Sequence, residues 1–217
     1  MPAVVVFDCF DTLVTSAPLP GPEVWTASLA DTLDLDARDA GAVARSVFAT
    51  LHAAMSDRSA LQPATLGLLD AALRERGTPR GIPAQERALW RALGCEDPGQ
   101  YGLCVPVADA LRRVADAGHT VRLLSNCYLP SPLMRRLLER LRAPGVWEQG
   151  LFTADGGPKK PDARAFQQIG EGAFDRRVMV GDSPELDLVP AAALGWETVR
   201  IDPVRPDPAP LYALLGC

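Results

Sequence analysis

The sequence lacks any cysteine pattern that would indicate a disulfide framework or a zinc site. Its five cysteines are odd in number, lie far apart and include no pair in CxxC spacing. Secreted disulfide-rich domains and zinc-binding domains usually show such spacing, whereas scattered cysteines are typical of proteins from a reducing compartment. We therefore expect a cytoplasmic protein with free thiols.

Long apolar runs are also missing. The first apolar stretch covers only Ala3 to Phe7 and is ended by Asp8, whereas a membrane-spanning helix needs roughly 20 apolar residues. We expect neither a signal peptide nor a membrane span. The sequence shows no low-complexity segment and no internal repeat.

Positive charge is not in excess either. The 217 residues include 22 Lys and Arg against 27 Asp and Glu, which gives a formal net charge of −5. Because nucleic-acid binding requires a basic surface, we expect no nucleic-acid partner. An acidic chain can still bind a phosphorylated molecule through a local group of cations or through a metal.

The sequence does contain an alternation of strand-like and helix-like segments. The β-branched run Ala3 to Phe7 predicts a buried strand of a parallel sheet. Residues 23–93 then carry apolar residues at helical spacing and predict several helices. Beyond residue 105, predicted helices at 107–117, 130–141, 162–169 and 191–194 alternate with predicted strands at 119–124, 151–153, 177–180 and 197–201. This order predicts an α/β protein with a parallel sheet and one helical insertion.

Polar residues follow three of the predicted strands. Asp8, Ser125 and Asp182 each stand at the carboxyl end of a strand. Ligands of open parallel sheets bind at that edge, so we expect the three residues to line one crevice. Each residue alone also fits a turn or a helix cap, and the combination is what favours a site.

Further candidate residues lie near these strand ends. Asp182 and Asp187 flank a turn, and two neighbouring carboxylates repel each other unless a cation such as Mg²⁺ neutralises them. The same pair is also typical of a helix N-cap followed by a first-turn acid. Lys160 precedes Pro161 and could neutralise a nucleophile or a phosphoryl group, although a Lys-Lys pair is commonly a surface feature. Ser125 and Asn126 could donate hydrogen bonds to the same oxygens, or simply form a turn.

Four segments together resemble the four ordered motifs of the haloacid dehalogenase superfamily of hydrolases. They are VVFDCFDTL at 5–13, LLSN at 123–126, KPD at 160–162 and VGDSPELD at 180–187. The resemblance implies an α/β fold with a Rossmann-like parallel sheet core, formed by residues 1–14 and 105–217. It also implies that residues 15–104 form an inserted α-helical cap domain.

The resemblance further implies a Mg²⁺-dependent phosphohydrolase that acts on a small phosphorylated metabolite. Asp8 would attack phosphorus and form an aspartyl-phosphate that water then hydrolyses. The implied metal ligands are Asp8, the main-chain carbonyl of Phe10, Asp182 and Asp187. The implied catalytic and substrate-binding residues around Asp8 are Thr12, Ser125, Asn126 and Lys160.

One position departs from the pattern of the superfamily's phosphatases. These enzymes usually carry an Asp two residues after the nucleophile, which protonates the leaving group and then activates water for the second step, and here that residue is Phe10. Asp11 is shifted by one residue, which turns a side chain to the other side of an extended backbone. General acid–base help is worth about 10²–10⁴-fold in rate, so its absence matters.

The aromatic residue leaves two alternatives open. It resembles the metal-independent 2-haloacid dehalogenases, in which the same Asp would displace halide from carbon and an Arg of the cap would be needed; Arg45 and Arg58 are available. The 2-haloacid dehalogenases replace the acid at the position of Asp182 with a small polar residue. The retained Asp182 therefore favours the metal-dependent hypothesis. A weakly active relative that binds a phosphorylated ligand is the other alternative. The sequence indicates neither the substrate nor the oligomeric state.

Overall fold

Seven strands and nine helices occur in the computed structural model, which describes residues 2–59 and 61–217. The strands are β1 Ala3–Phe7, β2 Val14–Ser16, β3 Tyr101–Leu103, β4 Thr120–Ser125, β5 Gln149–Phe152, β6 Arg176–Gly181 and β7 Glu197–Arg200. The helices are α1 Pro22–Leu33, α2 Ala37–Ser56, α3 Thr65–Glu75, α4 Ile82–Ala92, α5 Val105–Asp116, α6 Ser131–Arg140, α7 Ala163–Ile169, α8 Val189–Ala193 and α9 Ala209–Leu215.

The main sheet is parallel and has β1 at its centre. Its strand order is β5-β4-β1-β6-β7, and every residue of β1 is buried. Strands that are covered on both faces read as continuous apolar runs, which is why Ala3–Phe7 has no alternation of polar residues. The prediction of a parallel α/β sheet is confirmed. Since β1 is flanked by β4 on one side and β6 on the other, the carboxyl ends of these three strands surround one crevice.

The helical insertion is joined to the sheet through a second, small sheet. Helices α1 to α4 lie between β2 and β3, which pair antiparallel with Val14 opposite Leu103 and Ser16 opposite Tyr101. The two connections of the insertion therefore run side by side. The sequence pattern does not predict this pair, because strands of three residues are too short to show a periodicity.

The predicted elements beyond residue 105 agree with the structure to within two residues at each end. Helix α8 is preceded by a wide π-helical turn over Pro184–Leu188, which the pattern does not predict. Helix α9 at Ala209–Leu215 also follows the last predicted strand without having been expected. All five cysteines are free thiols. None of the helices in the described ranges is long and apolar enough to cross a membrane.

A histidine near the start of β1 gives a testable pH dependence. The Nδ1 atom of His119 accepts a hydrogen bond from the Ala3 N–H at 3.1 Å. Burial, together with the positive charge of Arg176, lowers the pKa of His119. Since the unfolded chain then takes up the proton first, the free energy of unfolding should fall as the pH drops through about 6.5.

His119→Asn keeps a hydrogen-bond acceptor but does not titrate. We expect the decrease in the free energy of unfolding at low pH to be smaller in this variant by roughly 0.5–1 kcal/mol. Urea unfolding at about pH 7.5 and about pH 5.5 measures it. An identical pH dependence in the wild type and the variant would contradict the assignment.

Candidate active site

The chain turns sharply directly after β1 and brings Thr12 back to Asp8. The Asp8 N–H still extends the sheet by donating to the Val180 carbonyl at 2.9 Å. The N–H groups of residues 13 and 14 both donate to the Cys9 carbonyl, and Asp11 has a φ of 62°. As a result, the Thr12 hydroxyl lies 3.4 Å from Asp8 Oδ2 and 3.4 Å from Asp182 Oδ1. The two strand-end carboxylates therefore share one neighbouring hydroxyl.

Lys160 carries the positive charge of the site. Its buried ammonium lies 2.5 Å from Asp8 Oδ1 and 2.6 Å from Asp187 Oδ1. The Asn126 side chain fixes the backbone of Lys160, because its Oδ1 accepts from the Lys160 N–H at 2.9 Å and its amide donates to the Lys160 carbonyl at 2.8 Å. The Asn126 side chain thus holds Lys160 in place, and its predicted contact with substrate stays a prediction.

The turn after β6 folds Asp187 back over the end of the strand. The Asp187 N–H donates to the Ser183 carbonyl at 2.9 Å, and the Ser183 N–H donates to Asp187 Oδ2 at 3.1 Å. Asp8, Asp182 and Asp187 each place one carboxylate oxygen within 4.8 Å of the others. The structure therefore brings together three of the predicted metal ligands.

Like charges and burial raise the proton affinity of this cluster. Burial raises the pKa of Asp8 to about 7, with the Lys160 charge opposing the rise and the Asp187 charge adding to it. Burial and the charge of Asp187 also raise the pKa of Asp182. Three neighbouring carboxylates thus share one ammonium group, which pairs with Asp8 and Asp187.

This donor set fits a hard divalent cation. Mg²⁺ prefers oxygen ligands, keeps several waters and is commonly held by one or two carboxylates. A cation among Asp8, Asp182 and Asp187 would neutralise charges that Lys160 alone does not balance. The main-chain carbonyl of Phe10 as a further ligand stays a prediction.

The close approach of Asp187 depends on Gly181. A Cβ added at Gly181 would lie 2.4 Å from Asp187 Oδ2. We expect Gly181→Ala to push Asp187 away from Lys160 and to lower the free energy of unfolding by about 1–3 kcal/mol. Urea denaturation measures the change, and Gly145→Ala is the matched control because a Cβ there meets nothing within 4 Å. Equal stabilities of the two variants would contradict a packing role of Gly181.

Ser125 lies at the carboxyl end of β4 but does not line the site. It is fully buried, and its hydroxyl has no oxygen or nitrogen partner in the described part of the chain. Its neighbours are the thiols of Cys9 and Cys127, whose pKa values are raised by burial. A substrate-binding role of Ser125 is untested by this arrangement and stays a prediction.

Two cavities open next to each other at this edge of the sheet. The polar cavity has a volume of about 430 Å³ and is lined by Asp8, Phe10, Asp11, Met55, Ser56, Arg58, Asn126, Lys160, Asp182, Ser183, Leu186 and Asp187. The apolar cavity has a volume of about 200 Å³ and is lined by Phe10, Ser16, Leu19, Met55, Leu93, Tyr101, Asn126, Cys127, Tyr128 and Leu129. Phe10, Met55 and Asn126 line both cavities and so mark the boundary between them.

Residues from the helical insertion reach the polar cavity, although the sequence pattern does not predict it. Met55 continues the apolar stripe of α2 but lies beyond its buried part and faces both cavities. Arg58 lines the polar cavity and pairs with Glu185 at 2.5 Å. Arg45, the other candidate cation, is exposed on α2 beside Gly41 and lines neither cavity.

Several solved hydrolase structures have a similar fold. A 2-haloacid dehalogenase from Pseudomonas syringae pv. Tomato DC3000 is 22% identical with a TM-score of 0.58, over 94% of this chain and 88% of its own. The HAD-hydrolase YfnB from Bacillus subtilis, bound to magnesium, is 16% identical with a TM-score of 0.56, and the match covers 100% of this chain and 99% of its own. A HAD phosphatase from Thermococcus onnurineus is 18% identical with a TM-score of 0.54, over 93% and 86%. No model of a protein family matches the chain, and no curated protein matches it.

Proposed function

We propose that this chain, which has the fold of the haloacid dehalogenase superfamily, is a Mg²⁺-dependent phosphohydrolase with Asp8 as its nucleophile. The observation that carries the proposal is the cluster of Asp8, Asp182 and Asp187, whose oxygens lie within 4.8 Å of one another, with the buried Lys160 paired to Asp8 and Asp187. A further cation would neutralise the excess negative charge of this cluster, and a bound phosphate group would add to that excess. Phosphoryl transfer depends mainly on positioning and on charge neutralisation, which these residues can supply.

Each residue of the site has a distinct role in the proposed reaction. Lys160 and Thr12 hold the Asp8 carboxylate, which attacks phosphorus while the ester P–O bond breaks and the leaving oxygen departs with the electron pair. A water molecule then attacks phosphorus, the bond between phosphorus and the Asp8 oxygen breaks, and the free carboxylate returns. Asp8, Asp182, Asp187 and the carbonyl of Phe10 would hold Mg²⁺. When bound, the ion supplies positive charge for the phosphoryl oxygens.

We propose further that the insertion, residues 15–104, acts as a cap over the site. Three contacts between the insertion and the core support this function. The Lys159 ammonium donates to the Asp57 carbonyl at 2.7 Å, and Gln62 exchanges two backbone hydrogen bonds of 2.9 Å with Gly157. Arg58 pairs with Glu185 at the rim of the polar cavity. A cap held in this way would keep bulk water from the reacting groups.

Metal-independent dehalogenation is the second candidate function. Phe10, at the position of the missing acid, favours it, and a 2-haloacid dehalogenase is among the similar structures. Such a reaction needs a cation for the carboxylate of the substrate. No cationic side chain of the described residues lines the apolar cavity, and Arg58 is already paired with Glu185. Asp8 would serve that reaction as the nucleophile, but the carboxylate of Asp182 beside it has no use there, so phosphorus is the better supported target.

The two candidates give opposite results in one experiment. Hydrolysis of phenyl phosphate should require Mg²⁺, stop in EDTA and be lost in Asp182→Asn. Release of halide from 2-chloropropionate in EDTA would instead support dehalogenation and overturn the proposal. If neither reaction occurs while inorganic phosphate raises the unfolding temperature, the chain binds a phosphorylated ligand without turning it over, and the proposal is equally wrong.

A further inference from the structure

The apolar cavity adjoins the polar cavity, which is lined by Asp8. The two share Phe10, Met55 and Asn126, so a molecule whose phosphate group lies at Asp8 would extend past Phe10 into the apolar cavity. The far walls of the apolar cavity are formed mainly by leucine side chains and two tyrosine rings, Tyr101 and Tyr128. The part of the substrate that departs after phosphoryl transfer would therefore occupy apolar surroundings.

The size of the apolar cavity limits what can enter. Its volume is about 200 Å³, and a dry cavity of about 150 Å³ is known to hold one benzene ring. A single ring or a short branched chain fits within this volume. The ring of Phe10 lies 5.9 Å from that of Tyr101, tilted by 50°, and together they offer an aromatic wall.

The apolar cavity also lacks charged side chains that would bind a charged leaving group. No Asp, Glu, Lys or Arg of the described residues lines it. The Tyr101 hydroxyl is used by the protein, because it donates to the Leu93 carbonyl at 2.8 Å, and both amide atoms of Asn126 are bonded to Lys160. A charged group placed here would lose hydration without gaining a charged partner.

The absence of an acid at position 10 also restricts the leaving group, for a chemical reason that does not depend on the cavity. A leaving oxygen that is strongly basic needs a proton from a nearby acid in order to depart. Phe10 occupies the position where the superfamily's phosphatases carry that acid, and its ring lines the boundary between the two cavities. A weakly basic oxygen, such as that of a phenol, departs without protonation.

From these observations we infer that the chain hydrolyses phosphate monoesters of small, uncharged phenols, with the ring bound between Phe10 and the apolar walls. The inference rests on the proposed phosphohydrolase function and names its substrate class. Asp8 attacks phosphorus, the phosphorus–aryl oxygen bond breaks, and the phenolate takes a proton from water and leaves a hydroxide. Hydrolysis of the aspartyl-phosphate by a second water returns the Asp8 carboxylate and phosphate and releases a proton that neutralises this hydroxide, so one water molecule is consumed overall.

A series of four esters tests the inference. Phenyl phosphate should be hydrolysed with a kcat at least about 100-fold above that of benzyl phosphate, whose leaving oxygen needs protonation. Its kcat/KM should exceed that of 4-carboxyphenyl phosphate and that of methyl phosphate at least about tenfold. Phenylphosphonate, which cannot be hydrolysed, should bind at least about tenfold more tightly than methylphosphonate in calorimetric titrations.

A charge placed in the apolar cavity provides the matched variant. Leu19 lines this cavity and is 46% exposed, so Leu19→Glu should fold. We expect it to raise the KM for phenyl phosphate at least about tenfold and to leave the binding of methylphosphonate unchanged. Val24→Glu is the control, because Val24 is 45% exposed and lines neither cavity.

The outcomes separate the substrate class from the proposed function. Mg²⁺-dependent turnover of all four esters with similar kcat/KM, or an unchanged KM in Leu19→Glu, would overturn the inference and leave the phosphohydrolase standing. Absence of turnover for every ester, together with absence of phosphonate binding, would overturn both.

Discussion

Asp8→Asn is expected to lower the rate of phenyl phosphate hydrolysis by about 10⁵–10⁶-fold, the loss seen when an enzyme's nucleophile is removed. The amide cannot form the acyl-phosphate bond on which the proposed reaction depends. It also removes one of the three carboxylates within 4.8 Å of one another. Phosphate release with saturating Mg²⁺ measures the effect, and circular dichroism shows whether the variant is folded.

Asp11→Asn is the matched control for this substitution. Asp11 lines the same polar cavity three residues further along the chain, but its side chain is exposed. We expect its activity on phenyl phosphate to stay within about threefold of the wild type, because an aryl leaving group needs no acid. If Asp11→Asn lost as much activity as Asp8→Asn, the assignment of the nucleophile would lose its support.

Lys160→Met is expected to have the largest effect on stability. The ammonium of Lys160 is the buried partner of both Asp8 and Asp187. Removing one partner of a buried ion pair costs about 3–5 kcal/mol, because the remaining charges stay buried without compensation. Urea unfolding in EDTA measures this loss, and added Mg²⁺ should restore more stability to the variant than it adds to the wild type. Turnover should also be lost, since Asp8 is no longer held.

The neighbouring Lys159 provides the control for Lys160. It is equally buried, but its ammonium donates to the Asp57 carbonyl of the insertion. We expect Lys159→Met to cost about 1–3 kcal/mol, as for a lost hydrogen bond to a charged group, and to respond to Mg²⁺ as the wild type does. An equal response of both lysine variants to Mg²⁺ would contradict the placement of the cation beside Lys160.

The sheet could be predicted from the sequence because its strands carry strong local signals. The run Ala3–Phe7 is buried along its whole length and became β1 with the predicted bounds. Elements that depend on distant partners gave no such signal. The pairing of β2 with β3 joins segments of three residues that are separated by the whole insertion, and α9 is a short helix after a loop that contains several prolines.

The candidate site was predictable to the extent that it consists of strand ends. Asp8 and Asp182 come together because their strands are neighbours in the sheet, and the turn after β6 adds Asp187. The pairing of Arg58 with Glu185 was not predictable, since it joins residues 127 positions apart through the packing of the insertion on the core. The Asn126 side chain bonds with the main-chain N–H and carbonyl of Lys160, and a sequence pattern does not indicate contacts with main-chain atoms.

The central claim is that Asp8 forms an aspartyl-phosphate. It is tested most directly by acid quenching of the protein during turnover, followed by mass spectrometry of the peptide that contains Asp8. With phenyl phosphate and Mg²⁺, we predict one added phosphoryl group on Asp8, and none in EDTA or in Asp8→Asn. Turnover without a phosphoryl group on Asp8 would contradict the account. So would an ester on Asp8 formed from 2-chloropropionate in EDTA.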